Sequence, residues 1–225
     1  MFEFIFLALF FVFTIIEIFG EFKDNEKLIF ITKPLLMPLL ILFYIFGVID
    51  ASSITRIDWF IVIALIGGCA GDIFLLLEDQ DKWFLYGMGA YLVNQIFYIM
   101  SFLLSITDYT VFNVWGLVLL GPAILIMIFI LPRFINKTGD MKGPVLVYMA
   151  VILIMHISAL LRIAQFQGLA FILVFIGSIS YIFSDASLAV NKWAGEFTNA
   201  RFIITTTYVM AQFYITLGAL FSSLL

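Results

Sequence analysis

Asp72, Asp185 and Lys33 are charged side chains set within long apolar runs. In the middle of a membrane each such charge costs at least ~2.5 kcal/mol and is by default a functional candidate. Two carboxyls that meet can divide acid and base work, and an ammonium beside them can hold an anion such as a phosphate. Polar stripes at helical spacing accompany them. Tyr91, Asn94, Tyr98 and Ser101 share one helical face, Ser178, Tyr181 and Asp185 a second, and Arg201, Thr205, Tyr208 and Gln212 a third. Lipid offers no partner for an amide or a phenol, so these faces are expected to turn inward.

Each feature has a plainer reading beside it. Lys33 can snorkel to lipid headgroups, and either aspartate alone can be a structural partner of Lys33 or of a backbone group. The tyrosine and amide stripes can be interhelical glue. His156 reads as a hydrogen-bonded interior histidine, since it lies near the opposite end of its span from the carboxylates. Other chemistry is pruned by what the chain lacks. With one His and one Cys there is no ligand set for zinc. No His-Glu-x-x-His, Gly-x-Ser-x-Gly or P-loop pattern occurs. A triad of Ser184 and His156 would draw on opposite leaflets. No metal and no cofactor is therefore expected, and carboxylate acid/base chemistry or ion translocation remains.

The elements that must position these residues follow from composition. The chain has 225 residues, 64% of them apolar, 27 of them Phe and only 12% charged, with a mean hydropathy of +1.19. Soluble domains are about half apolar and a quarter charged, so this chain must be solvated by the lipid bilayer. A lone Cys69 and a net charge of -4 without a basic block exclude a disulfide framework and a nucleic-acid partner. The start lacks a basic n-region and a small-residue cleavage site, so Met1 to Phe19 is expected to be a retained span. Only helices or closed barrels satisfy every backbone group in hydrocarbon, and the apolar runs here are helix length. The expected fold is all-α: one transmembrane domain over 1–225, with about eight spans at 2–19, 28–47, 59–77, 84–105, 114–131, 144–161, 168–190 and 200–224.

Lys and Arg in the short connectors set the orientation. Lys23, Lys27, Lys82, Arg133, Lys137, Lys142, Lys192 and Arg201 fall on one side, against Arg56 and Arg162 on the other. Both termini are thus expected away from the cytoplasm. Asp72 and Asp185 then lie about five residues before the inner ends of the third and seventh spans, and Lys33 about five after the start of the second. At 1.5 Å rise per residue, all three sit roughly 7 to 8 Å below the inner boundary. Pro34 and Pro38 are expected to kink the second span and open space beside Lys33. Gly67, Gly68 and Gly71 read as a close-packing face that lets a neighbour approach Asp72. A weak echo between Gly71-Asp72-Ile-Phe-Leu75 and Ser184-Asp185-Ala-Ser-Leu188, each followed by a helix with Gln and Tyr (Gln95 with Tyr98, Gln212 with Tyr214), is compatible with a 4+4 internal duplication.

Four blocks together resemble the lysoplasmalogenase (YhhN-like) family of integral membrane proteins. They are Thr32-Lys33-Pro34-Leu35, Gly71-Asp72-Ile-Phe-Leu-Leu, Tyr91-Leu-Val-Asn-Gln-Ile-Phe-Tyr98, and Gly177-Ser-Ile-Ser-Tyr-Ile-Phe-Ser184-Asp185-Ala-Ser-Leu-Ala-Val-Asn191-Lys192. Order and spacing agree over most of the chain, and the last block is the most specific. One departure is visible: Asn94-Gln95 stands where the family commonly carries a His. The resemblance implies cleavage of the vinyl-ether bond of a lysoplasmalogen, with a lysophospholipid as substrate and an aldehyde and a glycerophospho-ethanolamine or -choline as products. A bacterial cytoplasmic membrane is the expected setting. Vinyl-ether hydrolysis needs a protonated carboxyl as acid and an ionised one to stabilise the cation and activate water, a division that an apolar site can impose. Asp72 and Asp185 would fill these roles, with Asp185 preferred as the acid. Lys33 would meet the phosphate, and Tyr91, Asn94, Tyr98, Tyr181, Tyr208 and Gln212 would orient the substrate or water. Two rivals use the same residues: a proton-coupled small-molecule transporter or channel, and a purely structural membrane protein. The sequence leaves the oligomeric state open.

Overall fold

A computed structural model describes residues 2–77, 80–108 and 114–225. Among them are eight α-helices and no strand: α1 (Phe2–Phe22), α2 (Glu26–Ala51), α3 (Trp59–Leu75), α4 (Gln80–Leu104), α5 (Gly121–Phe134), α6 (Lys142–Leu161), α7 (Leu169–Ala189) and α8 (Ala200–Ser223). Seven are long and apolar enough to cross a membrane once the helical turns continuous with them are counted, and α3, apolar and 17 residues long, is at the lower end of what can. The protein is an all-α polytopic integral membrane protein. Glu78 and Asp79 of the connector after the third span lie outside the described residues.

Local sequence sets the helix ends. Asn25 opens α2 by accepting the Leu28 N–H at 3.3 Å, and Asp58 opens α3 by accepting the Phe60 N–H at 2.9 Å. The fifth helix starts later than its apolar pattern suggests. Val114–Leu120 forms a 3-10 turn and the α-helix begins only at Gly121, because Pro122 has no N–H with which to bond back four residues. In α2 the two prolines do not end the helix, which runs unbroken for 26 residues. Pro38 would have donated its N–H to the Pro34 carbonyl; that carbonyl instead accepts the Cys69 thiol of α3 at 3.6 Å.

The helices α1, α2, α3, α4, α6, α7 and α8 pack in that order and close on themselves, because α8 also contacts α1, α2 and α3. The fifth helix lies outside this ring against α7 and the turn that follows it. The tightest crossings are made by glycine. A Cβ on Gly177 would come within 2.8 Å of Ile215, and one on Gly218 within 2.6 Å of Val174, so α7 and α8 meet nearly backbone to backbone. Gly67 does the same for α3 and α4, since a Cβ there would meet the Asn94 amide nitrogen at 3.0 Å. The α3/α4 and α7/α8 hairpins thus share a close-packed form, whereas α1 packs on α2 and α5 packs on α7.

At one end of the bundle α1 contributes two buried carboxylates, Glu17 and Glu21. Glu21 lies 3.1 Å from Lys33 Nζ and 2.8 Å from Arg201 Nε, and accepts the Thr205 hydroxyl at 3.1 Å. Glu17 accepts the Thr32 hydroxyl and lies 4.0 Å from Lys33. One cluster therefore ties α1, α2 and α8 together. Removing one partner of a buried pair strands the other, at a cost of about 3–5 kcal/mol. Glu21→Ala is expected to lower the thermal unfolding midpoint in detergent, and adding Lys33→Met to recover part of the loss. An unchanged midpoint in the single variant would show that the cluster does not hold α1 in place.

Candidate active site

Asp72 lies in the last turn of α3 on the face that its glycines clear. A Cβ at Gly71 would fall 2.6 to 2.8 Å from the Tyr91 ring, so only glycine lets that ring lie flat against α3. From there the Tyr91 hydroxyl donates to Asp72 Oδ1 at 2.7 Å. The other carboxylate oxygen accepts the Tyr208 hydroxyl of α8 at 3.3 Å. Both oxygens of a fully buried carboxylate are thus engaged by phenols. Gly68 accommodates the second: a Cβ there would meet Tyr208 Oη at 3.0 Å, Gln212 Nε2 at 3.2 Å and Asn94 Nδ2 at 3.3 Å.

The tyrosines continue the network. Tyr208 stands edge-on to Tyr91 and to Tyr181, with centroids 5.6 and 5.9 Å apart. The Tyr181 hydroxyl donates to Asn94 Oδ1 at 3.0 Å, and Asn94 Nδ2 donates to the Ala64 carbonyl at 2.6 Å. One turn on, Tyr98 donates to Gln212 Oε1 at 2.5 Å. The three polar stripes therefore do face inward, and each amide or phenol finds its partner on another helix.

Asp185 is held differently. Its Oδ2 accepts both the Tyr148 hydroxyl of α6 at 2.5 Å and Gln95 Nε2 of α4 at 3.3 Å, while its Oδ1 takes no hydrogen bond from the described residues. Asp185 also lines a narrow cleft with Tyr91 and Tyr148. The remaining wall is apolar, from Phe84, Met88, Val145, Met149, Leu188 and Trp193. Asp72 does not line the cleft, but Tyr91 does, so the two aspartates are connected through one phenol: its hydroxyl on Asp72 and its ring in the cleft of Asp185.

Of the residues singled out in the sequence, Asp72, Tyr91, Tyr208, Tyr181, Asn94, Tyr98 and Gln212 form the connected core, and Asp185 reaches the cleft beside it. Lys33 is engaged instead by Glu21 and Glu17 of α1. His156 bonds Ser178 at 2.8 Å, as an interior histidine does. Sequence reasoning missed Tyr148 and Gln95, the two donors to Asp185, and the α1 glutamates. A lone tyrosine in an apolar helix carries no stripe to mark it, and Glu21 stands at the head of a charged stretch that reads as a connector. Among the described residues no group of three His, Cys, Asp or Glu side chains lies close enough to hold a metal ion.

Taken together these features define a polytopic helical membrane protein with a buried carboxylate–tyrosine centre beside an apolar cleft. The chain belongs to the YhhN family, whose sequence profile matches residues 28–219. That stretch holds Lys33, Asp72, Asp185 and all the tyrosines named above, whereas α1 precedes it. The chain is similar to lysoplasmalogenase TMEM86A of Bos taurus, at 29% identity over 163 residues, 71% of this chain and 64% of that relative. It therefore spans less than two thirds of that relative's length. No solved structure matches the chain significantly.

The glycine face gives a direct test. Gly71→Ala forces the Tyr91 ring off Asp72 and is expected to destabilise the protein by about 1–3 kcal/mol, as overpacking does. Gly89→Ala in α4, where nothing lies within 4 Å of the added methyl, is expected to be neutral or stabilising. Equal melting temperatures for the two variants would show that the Tyr91 ring is not seated as described.

Proposed function

We propose that the protein is a membrane-embedded hydrolase that cleaves the vinyl-ether bond of lysoplasmalogens, with Asp185 as the catalytic acid and base. The observation that carries this is the Asp185 carboxyl, fixed at one oxygen by Tyr148 and Gln95 and without a partner among the described residues at the other, in the wall of an apolar cleft. Family membership and the similarity to lysoplasmalogenase TMEM86A support the substrate class.

In this reading the alkenyl chain lies in the cleft among Met88, Val145, Met149 and Leu188. Protonated Asp185 delivers its proton to the alkene carbon remote from oxygen, leaving an oxocarbenium ion at the carbon bonded to oxygen. The resulting carboxylate takes a proton from water as the water oxygen bonds to that carbon. The hemiacetal so formed collapses: its hydroxyl proton is lost as the C=O forms, the C–O bond to glycerol breaks, the leaving glycerol oxygen takes up a proton, and aldehyde and glycerophospho-alcohol leave. One water is consumed and Asp185 is regenerated. The π-faces of Tyr91, Tyr148, Phe84 and Trp193 favour the passing cation. Asp72 acts through Tyr91: a carboxylate accepting that hydroxyl places electron density on the phenol oxygen and holds the ring against the cleft. Asp72 is thus a positioning residue in this scheme. The other tyrosines, with Asn94 and Gln212, hold Tyr91 and Tyr208 in place. Lys33 keeps a neutralising role toward Glu21 and Glu17 here and is not assigned to the phosphate. The Lys/Arg distribution supports both termini on the non-cytoplasmic side of the membrane, the more so because Arg162 is buried against Phe102 and Phe166 and does not count as a loop charge.

Purified protein is expected to release aldehyde from a lysoplasmalogen and none from its saturated alkyl-ether analogue. Asp185→Asn should lower the rate at least ~100-fold, as loss of a general acid does. Tyr91→Phe and Asp72→Asn should lower it less and leave the fold intact. Full activity in folded Asp185→Asn would overturn the assignment.

One observation favours a second reading, proton-coupled transport. Along α4, Tyr91, Gln95, Tyr98, Ser101 and Ser105 all make side-chain hydrogen bonds, with Ser101 donating to Asp58 at 2.6 Å and Ser105 accepting from Arg162 at 3.0 Å. At 1.5 Å per residue this polar file covers about 21 Å of the membrane. Proton flux in liposomes, lost in Asp58→Asn, together with no aldehyde release would select transport.

A further inference from the structure

The apolar cleft does not end at its own walls. Leu75, Phe84 and Leu188 also line a second hollow, where they are joined by Trp83, Asn191, Lys192 and Glu196. Asn191 and Glu196 line in turn a third hollow, shared with Glu21, Asp24 and Arg201. Through these shared walls the three adjoin as one groove that passes from apolar at Asp185, by way of Lys192 and Glu196, to a polar mouth.

The backbone that builds the middle of this groove is irregular. Straight after α7 the segment Val190–Ala194 winds as a π-helix, closed by the Gly195 N–H on the Val190 carbonyl at 3.1 Å. Gly195 then takes φ +126, a conformation that side chains disfavour, and turns the chain so that Glu196 faces the same hollows as Asn191. Lys192 extends along the groove with its ammonium 4.2 Å from the Phe84 ring centroid. Glu196 is exposed and forms no ion pair among the described residues, unlike Glu21 and Asp24, which Arg201 engages at 2.8 and 3.6 Å. Asn191 Oδ1 is shut from solvent and accepts no hydrogen bond. An acceptor left without a donor is costly unless a ligand supplies one.

We propose that Asn191, Lys192 and Glu196 form a headgroup subsite for a zwitterionic lysolipid, with Lys192 toward the phosphate and Glu196 and Asn191 toward the ammonium. The inference rests on the hydrolase reading for the placement of the chain end at Asp185, and it adds selectivity for the head. A primary ammonium can donate N–H bonds to Asn191 and Glu196, whereas a quaternary one offers charge only. Ethanolamine heads are therefore favoured over choline heads.

The test is binding, which needs no turnover. Saturated 1-O-alkyl lysolipids with phosphoethanolamine, phosphocholine or a bare phosphate monoester as head are titrated against the detergent-solubilised protein and followed by tryptophan fluorescence, since Trp83 and Trp193 stand in the groove wall. Phosphoethanolamine is expected to bind tightest, about five-fold tighter than the monoester, the scale of a partly solvated ion pair. Glu196→Gln should abolish that preference, Glu196→Lys should reverse it, and Asn191→Leu should erase the difference between ethanolamine and choline. Lys192→Gln should weaken all three. Equal affinity for the three heads in the unmodified protein, or a preference that survives Glu196→Gln, would overturn the subsite. Headgroup selectivity with no aldehyde release from a lysoplasmalogen would leave the subsite standing and refute the hydrolase reading alone.

Discussion

Tyr91 can reach Asp72 only if α3 and α4 nearly touch, and they touch because α3 carries glycine at 67, 68 and 71. In hydrocarbon no hydrophobic force presses helices together, so the depth of contact is set by how small the facing residues are. Each of these glycines serves a different neighbour: Gly67 admits the α4 backbone, Gly68 the Tyr208 hydroxyl and Gly71 the Tyr91 ring. Move α4 outward by the radius of one methyl and Asp72 loses the donor that ties it to the cleft. The polar centre is thus a consequence of close packing as much as of its own hydrogen bonds. That packing also explains why a carboxylate can be carried at full burial: the partners were brought to it before any water was needed.

The second constraint is electrical. Lys33 and Arg201 approach one end of the bundle from α2 and α8, and Glu21 lies between them. Two cations so placed would repel, and a carboxylate common to both converts the repulsion into a junction of three helices. The helix that supplies the carboxylate precedes the region matched by the YhhN family profile, which starts at residue 28. In this chain, then, the charge of a residue within the family region is balanced from outside it. This is why Lys33, which looks in the sequence like a free cation for a phosphate, has a different neighbourhood in the fold. Lys192 stands in the groove beside the cleft, and it gets there through a π-turn that periodicity does not register.

Much of the architecture was legible because hydrocarbon imposes simple rules. Helix length against bilayer thickness fixed the number of elements, and the cost of buried charge pointed to Asp72 and Asp185 without any knowledge of the fold. The inward turn of the three stripes followed from the same cost. What was illegible is partnership. Spacing tells which face a residue shares and says nothing about which helix comes to meet it, so Tyr148 on α6 and Gln95 on α4 could not be matched to Asp185 on α7. Glu21 was hidden for another reason: it opens a run of charged and polar residues that reads as a connector, while the helix runs on to Phe22. The late start of α5 had a readable cause in Gly121-Pro122, masked by the apolar residues on either side.

The two aspartates are not equivalent, and the difference bears on how such a centre can work. A carboxyl with both oxygens capped by phenols is fixed in direction, suited to orienting a donor and unable to pass a proton onward without breaking a bond. A carboxyl bonded at one oxygen only is held in direction and open at the other, which is what proton delivery to carbon requires. Carbon protonation is intrinsically slow because no lone pair meets the acid, so the reacting carbon must be held close to it, and an apolar cleft does this by confining the chain. In the proposed reaction the same confinement would limit water near Asp185 to what the polar groove admits. Water would be needed only after the cation has formed, and an entrance on the headgroup side would bring it to the carbon bonded to oxygen, the one that carries the charge. The gradient from the polar mouth to the apolar cleft would therefore orient the lipid and order the two halves of the reaction by a single arrangement of walls.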